Sequence, residues 1–226
     1  VSIVFQSAMN SLNPVITIGE QLTDVILAHK KTPYKQAHER AVDLLETVGM
    51  HGDRMSSFPH QLSGGMRQRV VIAIALALEP KLIIMDEPTT ALDVVVEREI
   101  LNELYELKSK FGFSILFISH DLSLMGEIAD RIGVMYAGNL IELGDAKTVF
   151  SDPKHPYTKG LISSFPTIHG PKERLYGIPG NPVNLLDTPQ GCNFQERCGE
   201  CISMCIKSEP RLGTVATGHH VSCHLV

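Results

Sequence analysis

An α/β fold with a mainly parallel sheet, followed by a loop-rich C-terminal extension, is what this sequence predicts. Three observations carry that prediction. Short apolar runs that read as buried strands alternate with helical stripes from Lys81 to Tyr136. The first of those runs, Leu82-Ile83-Ile84-Met85, ends abruptly in Asp86-Glu87-Pro88. After about Ser151, prolines and glycines become dense and periodicity fades, so a main domain over 1–150 gives way to an appendage over 151–226.

The elements follow in order. Val1 to Phe5 has strand composition, and Gln6 to Pro14 reads as a polar loop. Ile18 to His29 carries apolar residues at helical spacing (Ile18, Leu22, Val25, Ile26). Pro33 to Val48 is a second helix, opened by its proline and striped by Ala37, Ala41, Leu44, Leu45 and Val48. Ser63 begins a third, with Gly64 and Gly65 in its first turn and Pro80 stopping it. Lys81 to Met85 reads as a buried parallel strand. Val94 to Lys110 is helical, with Ile100, Leu101, Leu104 and Leu107 on one face. Phe113 to Ile118 is a second buried strand, ending at Ser119-His120-Asp121, and Leu122 to Ala129 is a short helix. Arg131 to Tyr136 and Asn139 to Leu143 form a hairpin across Ala137-Gly138.

Composition narrows the classes. Of 226 residues, 43% are hydrophobic and 20% charged, the balance of a globular protein with a sizeable core rather than a disordered or fibrous chain. The longest apolar run, Val70 to Leu78, is far shorter than the ~18–20 residues of a membrane-spanning helix. A net charge of −5 argues against a protein that holds nucleic acid through its phosphates. No basic segment precedes the apolar Val1 to Phe5, so no secretory signal is read there. A start at Val1, without Met and inside a strand, is expected to mark a fragment or a trimmed chain. All five cysteines fall between Cys192 and Cys223, and an odd, clustered set points to a metal or cluster site rather than a disulfide framework.

Asp86 and Glu87 arrive at the C-terminal end of a buried strand, where open α/β sheets bind ligands. Their side chains point in different directions. One can hold Mg²⁺ through water, and the other can position or deprotonate an attacking water. A solvated acidic turn is the plainer alternative. Ser63 fits as an N-cap, and the following glycines let a phosphate approach the helix start; an ordinary capped helix would look similar. Gln6 and His120 each follow a strand, where an amide can serve as a switchable ligand and an imidazole can bond a terminal phosphate.

Together these segments resemble the nucleotide-binding subunits of ABC transporters. Phe5-Gln6 resembles the Q-loop, and Leu62 to Gln68 the LSGGQ-type signature, with Met66 where the family often has Gln. Leu82 to Glu87 resembles the Walker B strand with its catalytic Glu, Ala91-Leu92-Asp93 the D-loop, and His120 the switch histidine. The resemblance implies a P-loop NTPase-like ABC ATPase core with a helical signature subdomain at about 15–80. It implies ATP contacts at Ser63, Gly64, Gly65, Gln68 and Asp93, Mg²⁺ support from Asp86, water polarisation by Glu87, and phosphoryl contacts from His120 and Gln6. The family's phosphate loop, G-x-x-x-x-G-K-[ST], does not occur in these residues. The core is therefore expected to be N-terminally truncated, binding ATP poorly and hydrolysing it negligibly alone.

Further segments resemble the di- and oligopeptide importer branch, with nickel importers close by. These are Ser11-Leu12-Asn13-Pro14, Ile18-Gly19-Glu20-Gln21, His155-Pro156-Tyr157-Thr158, Gly177-Ile178-Pro179-Gly180 and the cysteine-bearing tail to His224. In that branch the extension can carry a 4Fe–4S cluster, and Cys192, Cys198, Cys205 and Cys223 match its cysteines while Cys201 is extra. A Cys₄ or Cys₃His Zn²⁺ site is the rival, with His219, His220 and His224 nearby. The implied partners are a second ABC ATPase subunit, identical or not, two transmembrane permease subunits and, indirectly, an extracytoplasmic solute-binding protein. The implied place is the cytoplasmic face of a bacterial or archaeal membrane. A nickel or other solute importer, a non-transport ABC ATPase, and a binding module that only lends its signature are the competing functions.

Overall fold

The computed structural model describes residues 1–6, 11–90, 92–164 and 177–226. Ala91 of the expected D-loop, part of the expected loop after Gln6, and Pro166 and Pro171 of the tail lie outside the described residues. Packing divides the chain into two compact units, Val1–His120 and Asp121–Val226.

The first unit joins a helical bundle to a parallel sheet. Helix α1 spans Ile18–His29 behind a capping box: Thr17 Oγ1 accepts from Glu20 N at 3.2 Å, and the Glu20 carboxylate accepts from Thr17 N at 2.8 Å. Helix α2 is Tyr34–Thr47, and α3 is Gly64–Leu76 with Ser63 as its N-cap. The stripes read from the sequence meet inside: Ile18, Leu22 and Ile26 of α1 and Ala41, Leu44 and Leu45 of α2 are all buried, with Val70 and Ala73 of α3. Strands β1 (Ser2–Val4), β2 (Leu82–Asp86) and β3 (Ser114–Ile118) form a sheet in that order, both pairs parallel. Helix α4, Val94–Phe111, connects β2 to β3 and ends at Gly112, whose φ of +67° suits the left-handed cap. Arg69 ties the helices together, donating to the Val48 carbonyl at 3.1 Å and pairing with Glu103 of α4.

The strands depart from expectation on one point. The runs of β2 and β3 read as buried strands, yet Leu116 and Ile118 of β3 are 51% and 46% exposed, and Ile3 of the neighbouring β1 is 48% exposed. These residues share one face of the sheet by register, since Ile3 pairs with Ile84 and Ile84 with Leu116. Val4, Ile83 and Met85, on the other face, are buried. Among the described residues, cover comes from one side only.

The second unit is a four-stranded antiparallel sheet with short helices. Helix α5 is Leu122–Ile128. Strands β4 (Arg131–Tyr136) and β5 (Asn139–Asp145) meet across Ala137-Gly138, with φ of +49° and +82°, the mirror-image turn that tight hairpins favour. Helices α6 (Ala146–Ser151) and α7 (Pro156–Ser163) follow, then α8 (Ser203–Lys207). Strands β6 (Gly213–Ala216) and β7 (His219–Val221) complete the sheet in the order β4-β5-β7-β6. The tail is thus less irregular than its composition suggests. Its Phe194 enters a core with Ile132, Val134, Tyr136, Ile141 and Val149. Arg197 lies over Tyr136 and Phe194 and donates to the carbonyls of Pro179 (2.9 Å) and Ile178 (3.3 Å), pinning the Gly177–Gly180 segment.

Candidate functional site

Parallel pairing in the order β1-β2-β3 brings three strand ends to one edge. Gln6 follows β1 there and is exposed, Asp86 and Glu87 end β2, and His120 follows β3. This is the sheet edge at which α/β proteins bind ligands. Glu87 and His120 are in direct contact. His120 Nδ1 lies 2.7 Å from Glu87 Oε1 and 2.9 Å from Oε2, and the His120 amide donates to Oε1 at 3.1 Å. Thr90 Oγ1 donates to Oε2 at 2.9 Å, and the Glu87 amide donates to the Ile118 carbonyl of β3 at 2.9 Å.

Glu87 adopts φ of +46°, a left-handed conformation that a residue with a Cβ seldom takes. Partial burial pulls its carboxyl up, but the hydrogen bonds from His120 and Thr90 and the imidazole charge outweigh it and hold the group below the usual carboxylate range. The Glu87 side chain is 18% exposed and that of His120 82% exposed. A positioned, ionised carboxylate therefore stands beside an imidazole open to an incoming group.

The signature residues start α3. Ser63 Oγ accepts from Met66 N at 3.3 Å, an N-cap bond, while Gly64 and Gly65 are half-buried in the first turn. Asp93 caps α4, its Oδ1 accepting from Val95 N at 3.1 Å and Val96 N at 3.0 Å. Gln68 departs from expectation. It is 1% exposed, with its amide nitrogen unpartnered among the described residues, so it presents no side chain to a ligand and belongs to the interior of the helical bundle. Helical geometry accounts for this. Gln68 lies on the same face of α3 as Ile72 and Ala75, which are also buried.

The cysteines converge without forming a compact ligand set. Among the described residues no group of three or more His, Cys, Asp or Glu side chains is arranged to hold a metal ion. The expected metal centre is not met in that form. The histidines of the zinc rival are engaged elsewhere: His219 with Glu142, His220 with Thr214, and His224 with the Ser208 carbonyl. Yet the thiols are neighbours. Burial raises the Cys192 thiol, and the nearby Cys205, Cys223 and Cys198 add to the rise; burial likewise raises Cys198, with Cys223 and Cys205 beside it. Cys192 N donates to the Cys205 carbonyl at 2.7 Å, and a Cβ on Gly191 would stand 2.0 Å from that carbonyl oxygen, so only glycine fits.

One cluster escaped sequence reasoning. Glu142 of β5 is fully buried and accepts from Lys154 N (2.8 Å) and His155 N (2.9 Å), with His219 Nε2 at 2.8 Å. His155 in turn caps α7, its Nδ1 accepting from Tyr157 N at 3.0 Å. An acid inside an otherwise apolar stretch of strand, and a His-Pro at a helix start, were its only signals in the sequence.

Comparison with known proteins follows the same division. The ABC transporter family model matches residues 1–90, and the model of the oligopeptide/dipeptide transporter C-terminal region matches residues 141–205. The oligopeptide transport ATP-binding protein AppD of Bacillus subtilis (strain 168) is 47% identical over the whole of this chain and 69% of its own length. The oligopeptide transport ATP-binding protein OppD of the same organism is 45% identical over the whole chain and 64% of its own length. The chain thus spans about two thirds of the length of these curated relatives. Among solved structures, cbiO1 from Clostridium perfringens, part of the ABC transporter complex cbiONQ, superposes with a TM-score of 0.60 at 31% identity, over 67% of this chain and 59% of its own.

Proposed function

This chain belongs to the ATP-binding proteins of oligopeptide and dipeptide ABC transporters, and from that premise we propose that it hydrolyses ATP to power import of di- and oligopeptides across the cytoplasmic membrane. The observation that carries the catalytic part is the Glu87–His120 contact at adjacent strand ends. Asp86 and Glu87 are the carboxylates that would hold Mg²⁺ and water, and Ser63 and Gly65 would face the phosphates of ATP bound mainly by a partner subunit. Mg²⁺, when bound, neutralises charge on the phosphates.

The protein's own residues supply position and electrostatics. Glu87 is ionised at neutral pH and fixed by Thr90, so its carboxylate can accept a hydrogen bond from a water and orient it. His120 can turn its exposed ring from Glu87 to a phosphoryl oxygen. Gln6, exposed just past the end of β1, would sense whether the edge is filled.

The partners on this reading are a second ATP-binding subunit, two permease subunits and, through them, a solute-binding protein outside the membrane. No described helix is long and apolar enough to cross a membrane; on this reading, attachment to the cytoplasmic face runs through the permeases. With a single zinc as the alternative, the neighbouring thiols support a 4Fe–4S cluster, which binds each thiolate to a different iron. Cys192, Cys198, Cys205 and Cys223 would hold it, and it would cross-link a segment with a small core.

The test is Glu87→Gln in the assembled transporter. Turnover should fall by roughly a thousandfold with ATP binding retained; turnover that survives overturns the assignment. Iron, sulfide and zinc analysis after anaerobic purification tests the tail, and zinc without iron would count against the cluster.

A further inference from the structure

Gly65 has a neighbour that its role in phosphate contact does not explain. A Cβ at Gly65 would stand 2.7 Å from Val96 Cγ1. Val96 is in the first turn of α4, half-buried, whereas Val94 and Val95 beside it are 77% and 69% exposed. Its amide is one of the two held by Asp93 Oδ1, at 3.0 Å. The starts of α3 and α4, each capped by its own side chain, therefore meet through one valine methyl seated on a bare Cα. Farther along, Arg69 of α3 pairs with Glu103 of α4. Two contacts a turn or more apart fix both the separation and the angle of the helices.

Resting on the ATPase reading above, we infer that Val96 is a positioning residue for ATP hydrolysis. It sets the signature turn against the capped start of α4, so that Ser63 and Asp93 move as one piece. Asp93 lies six residues after Glu87 along the chain. A signature turn drawn toward a phosphate therefore carries with it the segment that leads back to the carboxylate. On this view Gly65 lacks a side chain to admit Val96, and not only to expose its backbone to phosphate.

The two roles separate by size exchange. In the full transporter, Gly65→Ala should lower kcat roughly hundredfold, the scale of a ~1 Å misplacement. Val96→Ala alone should lower kcat about fivefold with KM for ATP within about twofold. Combining them should restore kcat to about the Val96→Ala level, because the removed methyls make room for the added one. A double variant as slow as Gly65→Ala overturns the inference, since the glycine is then needed at the phosphate alone. Should Gly65→Ala fail to assemble, Val96→Ala decides by itself: an unchanged kcat, or a KM that rises with kcat unchanged, overturns it. Failure of the ATPase reading looks different, because the unsubstituted transporter would then not turn over ATP at all.

Discussion

At the strand ends of the first unit Glu87 meets His120 Nδ1 at 2.7 Å, and inside the second unit Glu142 meets His219 Nε2 at 2.8 Å. The distances match and the surroundings do not. The His120 side chain is 82% exposed, while His219 and Glu142 are 3% and 0% exposed. Water competes for the first pair, which can open, and is excluded from the second, which cannot open without leaving a charge and two backbone amides unpartnered. The same two side-chain types serve as a movable contact in one place and a clamp in the other, and burial decides which.

Breaking the clamp should have the largest effect on stability. Glu142→Ala strands His219 and the amides of Lys154 and His155, and should destabilise the second unit by about 3–5 kcal/mol in denaturant unfolding. A cost near that of the exposed pair would erase the contrast.

Acid tests the same region from another side. Burial pushes the His155 imidazole down to about 4, although the Glu142 carboxylate beside it pulls the other way and Lys159 adds to the fall. The unfolded chain takes up this proton near pH ~6.5 and the folded chain only near 4, so stability falls as pH drops through that window, by about 3 kcal/mol in all. His155→Asn, which keeps a capping side chain, should flatten the melting temperature across the window. A slope that survives assigns the acid sensitivity elsewhere.

Two smaller effects sharpen the comparison. Gly191→Ala drives a methyl into the Cys205 carbonyl and should cost about 1–3 kcal/mol of stability, read by thermal melting. His120→Ala should change stability by no more than about 1 kcal/mol, as for an exposed ion pair, while ATP turnover collapses. A large loss of stability there would make the pair structural after all.

Much of the first unit was legible because its order comes from local rules. The apolar stripe of Ile18–His29 gives a helix with those bounds, and the run ending at Asp86-Glu87 gives the strand that carries the carboxylates. Glu87 and His120 were individually ambiguous. Their contact depends on β2 and β3 lying side by side, a pairing the residues alone do not spell out. The second unit was harder for the same reason. Strands β6 and β7 are short, and β7 joins β5 across a long stretch of proline-rich chain, so no local periodicity announces the sheet. Glu142 looks like an ordinary strand acid until a histidine 77 residues away arrives to meet it. Gln68 failed in the opposite direction: its place in a signature-like run suggested contact with ATP, and helical phase turned it inward.

The order β1-β2-β3 also governs how the first unit assembles in time. Strand β1 pairs with β2 only after residues 5–81 have been gathered between them, a closure that costs entropy before any ladder bond forms. The contact of α1 with α2 spans a short connection and needs no such wait. The bundle should therefore protect its amides from hydrogen exchange early in refolding, and Ser2 to Val4 should gain protection last. The edge that holds Gln6 would be the final part of the catalytic surface to be completed.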